Sequence, residues 1–270
     1  EETVMKISFI GGGMMGEAIV KSLLAKKVAK PADITTSDVS QVRRDILKKN
    51  YGVKAVANNK EAVKGAEVVV LAVKPQELGK VLGEMKGLTP QQMVLSIVAG
   101  ATLETLQEGL GHARLVRAMP NMPTQIGEGM TVWTATAEVN QKQKDMAQSI
   151  LAALGKEIYV SSEKYIDMAT AVSGSGPAYV FLIIEALVDA GVHIGLPRDM
   201  AEKLVVQTVL GSTRAVEVTG KHPAQLKNMV TSPGGTTTEG LLQLETGGLR
   251  SLLLQAVIAA YHKAKSLGGK

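Results

Sequence analysis

Three glycines near the start of the chain are spaced as Gly11-x-Gly13-x-x-Gly16. Residues 6–10, which include Ile7, Phe9 and Ile10, precede them and predict a first strand, and a helix is expected to begin at the glycines. In that context Gly11 permits a tight turn, Gly13 lets a pyrophosphate approach the backbone, and Gly16 lets helix and strand pack closely. Free N–H groups at the helix start would face the phosphates. The segment predicts a dinucleotide site; the alternative is a glycine-rich turn without a ligand.

The residues that would choose between NAD and NADP follow the second predicted strand. Residues 35–38 are Thr-Thr-Ser-Asp, and Arg43 and Arg44 come shortly afterwards. A carboxylate at this strand end favours the free ribose hydroxyls of NAD, whereas hydroxyls and arginines favour the 2′-phosphate of NADP. Both kinds of group are present, and an N-cap role for Asp38 is the alternative. The pattern favours NADPH, with NADH as the second choice.

Three further predicted strands are each followed by a segment that contains glycine or proline. These segments are Ala-Val-Lys-Pro at 72–75, Ser-Ile-Val-Ala-Gly at 96–100 and Arg-Ala-Met-Pro-Asn-Met-Pro at 117–123. In a parallel sheet these segments meet at the carboxyl edge, where open α/β sheets bind ligands. Ordinary strand–helix connection is the alternative for each segment. Lys74 has the further alternative of a solvated surface lysine, although Pro75 fixes the backbone beside it.

Two hydroxyl-rich segments lie in the second half of the chain. Residues 173–179 are Ser-Gly-Ser-Gly-Pro-Ala-Tyr, and residues 232–240 are Ser-Pro-Gly-Gly-Thr-Thr-Thr-Glu-Gly. Each is expected to open a helix, so that free backbone N–H groups and the positive dipole end favour a carboxylate or phosphate. Simple N-capping is the alternative for either segment alone. Two such segments in one helical region predict an anion pocket.

The elements that must position these segments change type along the chain. Up to about residue 160, short β-branched runs alternate with helical stretches, which is typical of a parallel sheet flanked by helices. Later residues show helical patterns without a convincing strand, and some helices are apolar nearly all round, so we expect a second copy to cover them. We predict an α/β fold, with a Rossmann-type dinucleotide-binding domain at 1–162 and an all-helical dimerisation and substrate domain at 163–270. The predicted strands are 6–10, 34–37, 67–73, 93–98, 114–117, 130–134 and 157–160, and the predicted helices are 17–25, 76–85, 177–190, 197–218, 236–244 and 249–265.

Composition excludes several classes of protein. The 270 residues are 45% apolar and 20% charged, as in an ordinary globular protein and unlike a disordered chain. The absence of cysteine excludes disulfides, thiolate nucleophiles and cysteine-bound zinc, and the four scattered histidines predict no metal site. The net charge of +5 comes with only 3% aromatic residues, which argues against nucleic acid and suits small anions. With no membrane-spanning stretch and no secretory segment expected, we predict a cytoplasmic protein.

The sequence lacks a Gly-x-Ser-x-Gly elbow, the nucleophile motif of α/β-hydrolases. An alcohol or ketone substrate normally needs a positioned general acid or base. A protonated C=N substrate is already electrophilic, so its orientation against a nicotinamide could supply most of the catalysis.

Taken in order, these motifs resemble those of the pyrroline-5-carboxylate reductase family. The similar residues are the glycine loop, 72–75, 117–121, 173–179, and the block from Gln-Leu-Lys at 225–227 to Ser-Pro-Gly-Gly-Thr-Thr at 232–237. The resemblance extends from Met5 to about Leu267. It implies NAD(P)H-dependent reduction of (S)-1-pyrroline-5-carboxylate to L-proline, the last step of proline biosynthesis. It also implies a homodimer, or a larger homo-oligomer built from dimers, with a helical dimerisation domain.

The resemblance further implies roles for individual residues. The amides of 234–237 would bind the substrate carboxylate, and the Thr237 hydroxyl would contact the ring nitrogen as the catalytic group. Met122, Asn228 and Met14 depart from the residues most frequent in the family. The expected substrate residues are Ser175, Glu163, Asn228, Gly234, Gly235, Thr236 and Thr237. The expected cofactor residues are Gly11, Gly13, Met14, Met15, Gly16, Ser37, Asp38, Asn59, Ala72, Val73, Lys74, Pro75, Ala99, Gly100 and Asn121.

Two other functions are compatible with a Rossmann domain followed by helices. Hydroxyacid dehydrogenases of the 6-phosphogluconate type carry a lysine one or two helical turns after a Ser-Gly-Gly loop. Here the helix from Pro177 has no lysine before Lys203, which argues against that class. A dinucleotide-sensing protein without catalysis is the other alternative, and turnover with substrate distinguishes it from a reductase.

Overall fold

A single sheet organises the first part of the chain. The computed structural model describes residues 5–268, and in them eight strands pair in the order β3-β2-β1-β4-β5-β6-β7-β8. The valine-rich and isoleucine-rich runs form strands that are buried along their whole length, as expected for a sheet covered on both faces. The strands are β1 (Ile7–Ile10), β2 (Ile34–Ser37), β3 (Lys54–Val56), β4 (Val68–Leu71), β5 (Met93–Ser96), β6 (Leu115–Met119), β7 (Gly129–Ala135) and β8 (Gly155–Tyr159).

Helices connect these strands and also form the part of the chain that follows β8. Helix α1 begins directly after Gly13 and contains Gly16, and α2 begins after an N-cap serine, Ser40, whose hydroxyl accepts from the Arg43 N–H. Apolar side chains of the sheet pack in two buried clusters, one centred on Phe9 and the other containing Leu71. The helices are α1 (Met14–Ala25), α2 (Gln41–Tyr51), α3 (Asn59–Ala62), α4 (Leu78–Glu84), α5 (Leu103–Leu110), α6 (Gln141–Ala152), α7 (Lys164–Ala169), α8 (Gly176–His193), α9 (Arg198–Thr219), α10 (Pro223–Met229), α11 (Thr236–Thr246) and α12 (Leu249–Leu267).

The sheet is parallel from β3 to β6 and reverses direction once. β6 and β7 are antiparallel, and β7 and β8 are parallel to each other. The fully parallel sheet that the sequence pattern predicts is therefore wrong at β7 and β8. The reason is the short link between β6 and β7, residues 120–128, because a parallel crossover needs a dozen or more residues. The edge strand β3 was also missed, since its three residues are too few to show a pattern.

The structure divides into two compact units. One contains the sheet and its helices up to Ser175, together with the end of α12 from Ala260, and the other is Gly176–Ala259. Many apolar side chains of the second unit are exposed, including Leu182, Leu204 and Leu252. The 30-residue helical stretch Lys164–His193 is long and apolar enough to cross a membrane by length and composition alone. Those two criteria do not distinguish a membrane span from a helix whose apolar side chains pack against another protein.

The expected free helix start at residues 173–179 is wrong. A π-helical turn, Thr170–Gly174, joins α7 to α8, and the Ser175 N–H donates to the Thr170 carbonyl at 2.8 Å. Pro177 explains the widened turn, because it has no N–H to donate and its ring crowds the carbonyl four residues earlier. The Ser175 amide is therefore already used within the helix. It is not available to an anion.

Candidate cofactor and substrate site

The glycine loop between β1 and α1 has one open position. Gly11 has φ +100°, and a Cβ there would lie 2.6 Å from the Ala72 carbonyl oxygen. A Cβ on Gly16 would collide with the Gly11 carbonyl oxygen. In contrast, a Cβ on Gly13 would meet nothing within 4 Å. Gly11 and Gly16 are thus required by the fold, whereas the space beside Gly13 is free for a ligand, as a pyrophosphate site needs.

Unpaired backbone N–H groups at the start of α1 also indicate a phosphate site. The Met14 and Met15 N–H groups donate to no residue that the structure describes, because they belong to the first turn and Gly13 has no capping side chain. The Met14 side chain is 77% exposed. These unpaired donors, together with the positive end of the helix dipole, favour a bound phosphate.

The carboxylate of Asp38 is bound to the glycine loop. It accepts from the Gly12 N–H at 2.9 Å and from the Ser40 N–H at 2.8 Å. The N-cap role considered for Asp38 falls to Ser40 instead. Arg44 donates to the Asp38 carbonyl at 2.7 Å, and Arg43 donates through Nε to the Gly12 carbonyl at 2.8 Å. Both guanidinium groups therefore lie at the turn after β2, where a 2′-phosphate would be read.

Arg43 also binds a half-buried pair of an acid and a phenol, Glu17 and Tyr51. It forms an ion pair with Glu17, which accepts from the Tyr51 hydroxyl at 2.9 Å. Partial burial raises the pKa of Glu17, but the hydrogen bonds from Arg43 and Tyr51 and the charges of Arg43 and Lys21 outweigh it, leaving that pKa below its usual value. Burial and the hydrogen bond to Glu17 raise the pKa of Tyr51. An ionised Glu17 thus holds Arg43 against the loop.

Glu17→Gln is expected to remove a pH-dependent part of the stability. Because the folded-state pKa lies below the unfolded value of about 4.3, the ionised carboxylate stabilises the fold at neutral pH, and this is lost as pH falls through the folded-state pKa. The difference in Tm between wild type and Glu17→Gln should be largest near neutrality and shrink below about pH 4. Scanning calorimetry from neutral to acidic pH measures it. A difference that grows on acidification would contradict the assignment.

Asn59 lies beside the end of β2. Its Oδ1 accepts from the Ser37 hydroxyl at 2.6 Å, and its Nδ2 donates to Glu84 at 2.8 Å. The structure thus brings Asn59 and Ser37 together at the carboxyl end of β2. Gly12 is held there as well, through Asp38.

The other predicted cofactor segments meet at the same edge of the sheet. Residues 72–75 follow β4, residues 99–100 follow β5 and Asn121 follows β6, and all of these strands are parallel neighbours. The neighbours of β1 are β2 and β4, so the strand order switches direction at the glycine loop, where such sheets bind dinucleotides. Lys74 is exposed, and its ammonium has no partner among residues 5–268.

Asn121 is held by two hydrogen bonds within the sheet unit. Its Oδ1 accepts from the Met130 N–H at 2.9 Å, and its Nδ2 donates to the Ser173 carbonyl at 3.0 Å. In a regular α-helix the Ser173 carbonyl would accept from the N–H of residue 177, but Pro177 has no N–H. The side chain therefore satisfies a carbonyl that the proline leaves without a partner, and it fixes the π-helical turn beside the end of β6.

A buried arginine links β6 to the start of α7. The Arg117 side chain is only 4% exposed and donates to Glu163 at 2.7 Å and to Asp167 at 2.9 Å. The same Glu163 oxygen accepts from the N–H of Leu103, the first residue of α5, at 2.8 Å. Asp167 was missed by the sequence analysis. Its separation of four residues from Glu163 puts both carboxylates on one helix face, which could have indicated a shared cation.

Glu163→Gln is expected to lower the free energy of unfolding by about 1–2 kcal/mol. Glutamine keeps an oxygen for the Leu103 N–H but loses the charge opposite buried Arg117, which Asp167 still neutralises. The control is Glu61→Gln, since the Lys54–Glu61 pair is 60% and 50% exposed and should contribute little. Urea unfolding measures both variants. Equal losses of unfolding free energy in the two variants would show that the buried ion pair stabilises the fold no more than the exposed one.

The second unit presents unpaired donors at the start of α11. Gly234 has φ +66°, Gly235 is the N-cap, and the Gly235 N–H already donates to the Ser232 carbonyl at 3.1 Å. The N–H groups of Gly234, Thr236 and Thr237 donate to none of the described residues. Three of the four amides expected to bind a carboxylate are thus free.

Three consecutive threonines at this helix start differ in their hydroxyl contacts. Thr238 donates to the Ser232 carbonyl at 2.7 Å, whereas the hydroxyls of Thr236 and Thr237 contact no polar group within the part of the chain described. Thr237 is half-buried and Thr236 is exposed. Asn228 is exposed on α10, also without a side-chain hydrogen bond to the described residues. Of these side chains, Thr237 combines a free hydroxyl with partial shielding from water.

Comparisons with known proteins cover nearly the whole chain. Residues 163–267 match the family model for pyrroline-5-carboxylate reductase dimerisation, and residues 6–100 match the model "NADP oxidoreductase coenzyme F420-dependent". A pyrroline-5-carboxylate reductase of Synechocystis is 46% identical over 266 residues, covering 98% of this chain and 99% of the relative. The chain belongs to the pyrroline-5-carboxylate reductase family. The Escherichia coli member is 40% identical over 264 residues, covering 97% of this chain and 98% of that protein.

Solved structures of family members have the same fold. The pyrroline-5-carboxylate reductase of Coxiella burnetii superposes with a TM-score of 0.91 at 42% identity, covering 98% of this chain and 99% of that one. The Plasmodium falciparum enzyme, solved with NADP bound, has a TM-score of 0.90 at 34% identity and covers 99% of both chains. These matches confirm the family resemblance and the predicted fold class of a Rossmann-type domain followed by helices. The individual residues predicted for cofactor and substrate stay predictions.

Proposed function

We propose that this chain reduces (S)-1-pyrroline-5-carboxylate to L-proline with NADPH, as the last step of proline biosynthesis. The observation that carries the proposal is the match of 46% identity along 98% of the chain to a pyrroline-5-carboxylate reductase. The open space beside Gly13 and the unpaired amides of the first turn of α1 support a dinucleotide cofactor. Arg43 and Arg44 at the turn after β2 support NADPH over NADH.

The residues of the chain would act by placing the two reactants. NADPH, when bound, supplies the hydride that adds to the imine carbon of the substrate. The Met14 and Met15 amides would bind its pyrophosphate, and the Gly234, Thr236 and Thr237 amides would bind the substrate carboxylate. An imine that arrives protonated needs orientation rather than a general acid. The hydride and the N–H proton of the imine together complete the new amine.

The Thr237 hydroxyl would then fix the substrate nitrogen. Its oxygen is free to accept a hydrogen bond from the protonated imine, since no described residue uses it. This contact stabilises the positive nitrogen in the orientation from which the imine carbon is attacked. Glu163 and Asn228 complete the proposed substrate residues. Ser175 is proposed to contribute only through its hydroxyl, since its amide is used in the π-helical turn.

A homo-oligomer is supported by the dimerisation model that matches residues 163–267. Exposed apolar side chains in Gly176–Ala259, among them Phe181, Leu210 and Leu254, give the physical reason. Covering such a surface with a second copy removes apolar area from water. We propose a dimer, or an assembly of dimers, that works in the cytoplasm on a small-molecule substrate and without nucleic acid.

Steady-state kinetics with pyrroline-5-carboxylate and each cofactor in turn test this function. We expect NADPH oxidation that depends on pyrroline-5-carboxylate and yields proline, with a larger kcat/KM for NADPH than for NADH. Oxidation of a 3-hydroxy acid with NADP⁺ in its place would favour the dehydrogenase class. Tight NADPH binding without turnover of either substrate would favour a dinucleotide sensor.

A further inference from the structure

A cleft of about 650 Å³ opens at the edge of the sheet opposite the cofactor loops. Its walls come from segments that lead into the amino ends of β4, β5 and β6, whereas the glycine loop and residues 72–75 follow carboxyl ends. The cleft therefore cannot be part of the proposed NADPH site. Its size falls in the range of sites for small organic ligands.

The rim of this cleft carries most of the excess charge of the protein. Five cations line it and one carboxylate, Glu67, opposes them. The cleft thus holds a charge of about +4, against +5 for the whole chain. None of the five forms an ion pair with residues 5–268. The cations are Lys60, Lys64, Lys86, Arg114 and Lys142.

The floor of the cleft is apolar and is held by buried amides. Val63, Met85, Leu88 and Met146 supply its apolar side chains. Gln92, only 7% exposed, donates to the Val63 carbonyl at 2.8 Å and to the Ala66 carbonyl at 3.0 Å, which ties the wall before β4 to the wall before β5.

A second buried amide links α6, which forms the remaining wall, to the segment before β5. Gln143, 6% exposed and in the first turn of α6, donates to the Gln91 carbonyl at 3.0 Å. These hydrogen bonds connect the segments that form the walls, so they help to hold the walls in place before any ligand arrives. A rigid apolar floor under a cationic rim lowers the ordering cost of binding.

We propose that this cleft binds an organic polyphosphate with a flat apolar ring system, in the class of nucleoside polyphosphates. Lysine and arginine are the usual partners of phosphate groups, and several unpaired cations around one cavity suit a multiply charged ligand. The half-buried Met146 side chain in the floor suits a ring, because a methionine side chain can adapt its shape to the group it contacts. The concave shape favours a small molecule over an extended polymer.

Calorimetric titration of the full-length protein with ATP tests the proposal. NADPH is kept saturating, so that ATP cannot report binding at the cofactor loops. We expect saturable binding of one ATP per chain that weakens as salt is raised. Pyrophosphate, which lacks the ring, and adenosine, which lacks the phosphates, should each bind at least about tenfold more weakly than ATP. Equal affinity for ATP and either fragment, or no saturable ATP binding, would overturn the proposal.

A charge-matched pair of double variants locates the site. Lys64→Glu with Lys86→Glu should raise the Kd for ATP at least about tenfold. Lys26→Glu with Lys80→Glu makes the same change in net charge at exposed lysines outside the cleft and should change Kd less than about threefold. Equal weakening in both pairs would show general charge attraction and contradict the site. Thermal unfolding of each variant confirms that it is folded, and an unchanged KM for NADPH separates this result from the proposed reductase activity.

Discussion

Thr237→Ala is expected to lower kcat/KM for pyrroline-5-carboxylate by about 100-fold, the usual loss for one preorganised hydrogen-bonding group in an active site. The hydroxyl has no partner among the described residues, so its removal breaks no contact that holds the fold. The Tm should therefore stay within about 1–2 °C of wild type. Steady-state kinetics at saturating NADPH, paired with calorimetry, measure both quantities.

Neighbouring threonines provide the matched controls for this result. Thr236→Ala removes an exposed hydroxyl one residue away but keeps the backbone N–H proposed to bind the carboxylate, so kcat/KM should stay nearly unchanged. Thr237→Ser restores the hydroxyl and should recover most of the activity. An unchanged rate in Thr237→Ala would remove this hydroxyl from the mechanism. A loss in Thr237→Ala that serine does not recover would assign the effect to packing instead.

Gly13→Ala is expected to weaken NADPH binding by about 100-fold while the fold is preserved. A methyl group at this position meets no protein atom within 4 Å, so it disturbs no contact of the fold, but it stands where the backbone would have to approach the pyrophosphate. The expected signature is a higher Kd for NADPH with a Tm lowered by no more than about 2–4 °C, because alanine is a poorer N-cap than glycine. Nucleotide fluorescence titration gives the Kd.

Two other glycine substitutions serve as comparisons for Gly13→Ala. Gly83→Ala, in α4, also adds a methyl in open space and should leave the Kd unchanged and slightly stabilise the helix. Gly16→Ala directs its methyl into the Gly11 carbonyl and should lower the Tm as well as the affinity. NADPH binding that is unchanged in Gly13→Ala would place the dinucleotide away from this loop.

The fold could be predicted largely because its signals are local. The glycines at 11, 13 and 16, placed between an apolar run and a helix, indicate the first strand–turn–helix unit, and the valine run of β4 indicates a strand covered on both faces. The reversed direction of β7 depends on the length of the link before it, which a periodicity analysis does not weigh. A three-residue strand such as β3 carries no periodicity at all.

The candidate site was predictable by segment, but its hydrogen bonds were not. A proline after Ser-Gly-Ser-Gly is typical of a helix start, yet the preceding residues are helical too and Pro177 lies beyond a π-helical turn. The partner of the freed Ser173 carbonyl is Asn121, more than fifty residues earlier in the chain. Likewise Arg117 meets Glu163 and Asp167 only through tertiary packing. Contacts between distant residues of this kind leave no spacing pattern in one sequence.

The central claim is that the chain places a protonated cyclic imine so that it receives hydride from NADPH. Turnover of pyrroline-5-carboxylate with NADPH that carries two deuterium atoms at C4 of the nicotinamide tests it most directly. Mass spectrometry and NMR of the product locate the label. The account predicts L-proline with one deuterium, on the ring carbon that was the imine carbon. Proline without deuterium, or with deuterium at another carbon, would contradict it.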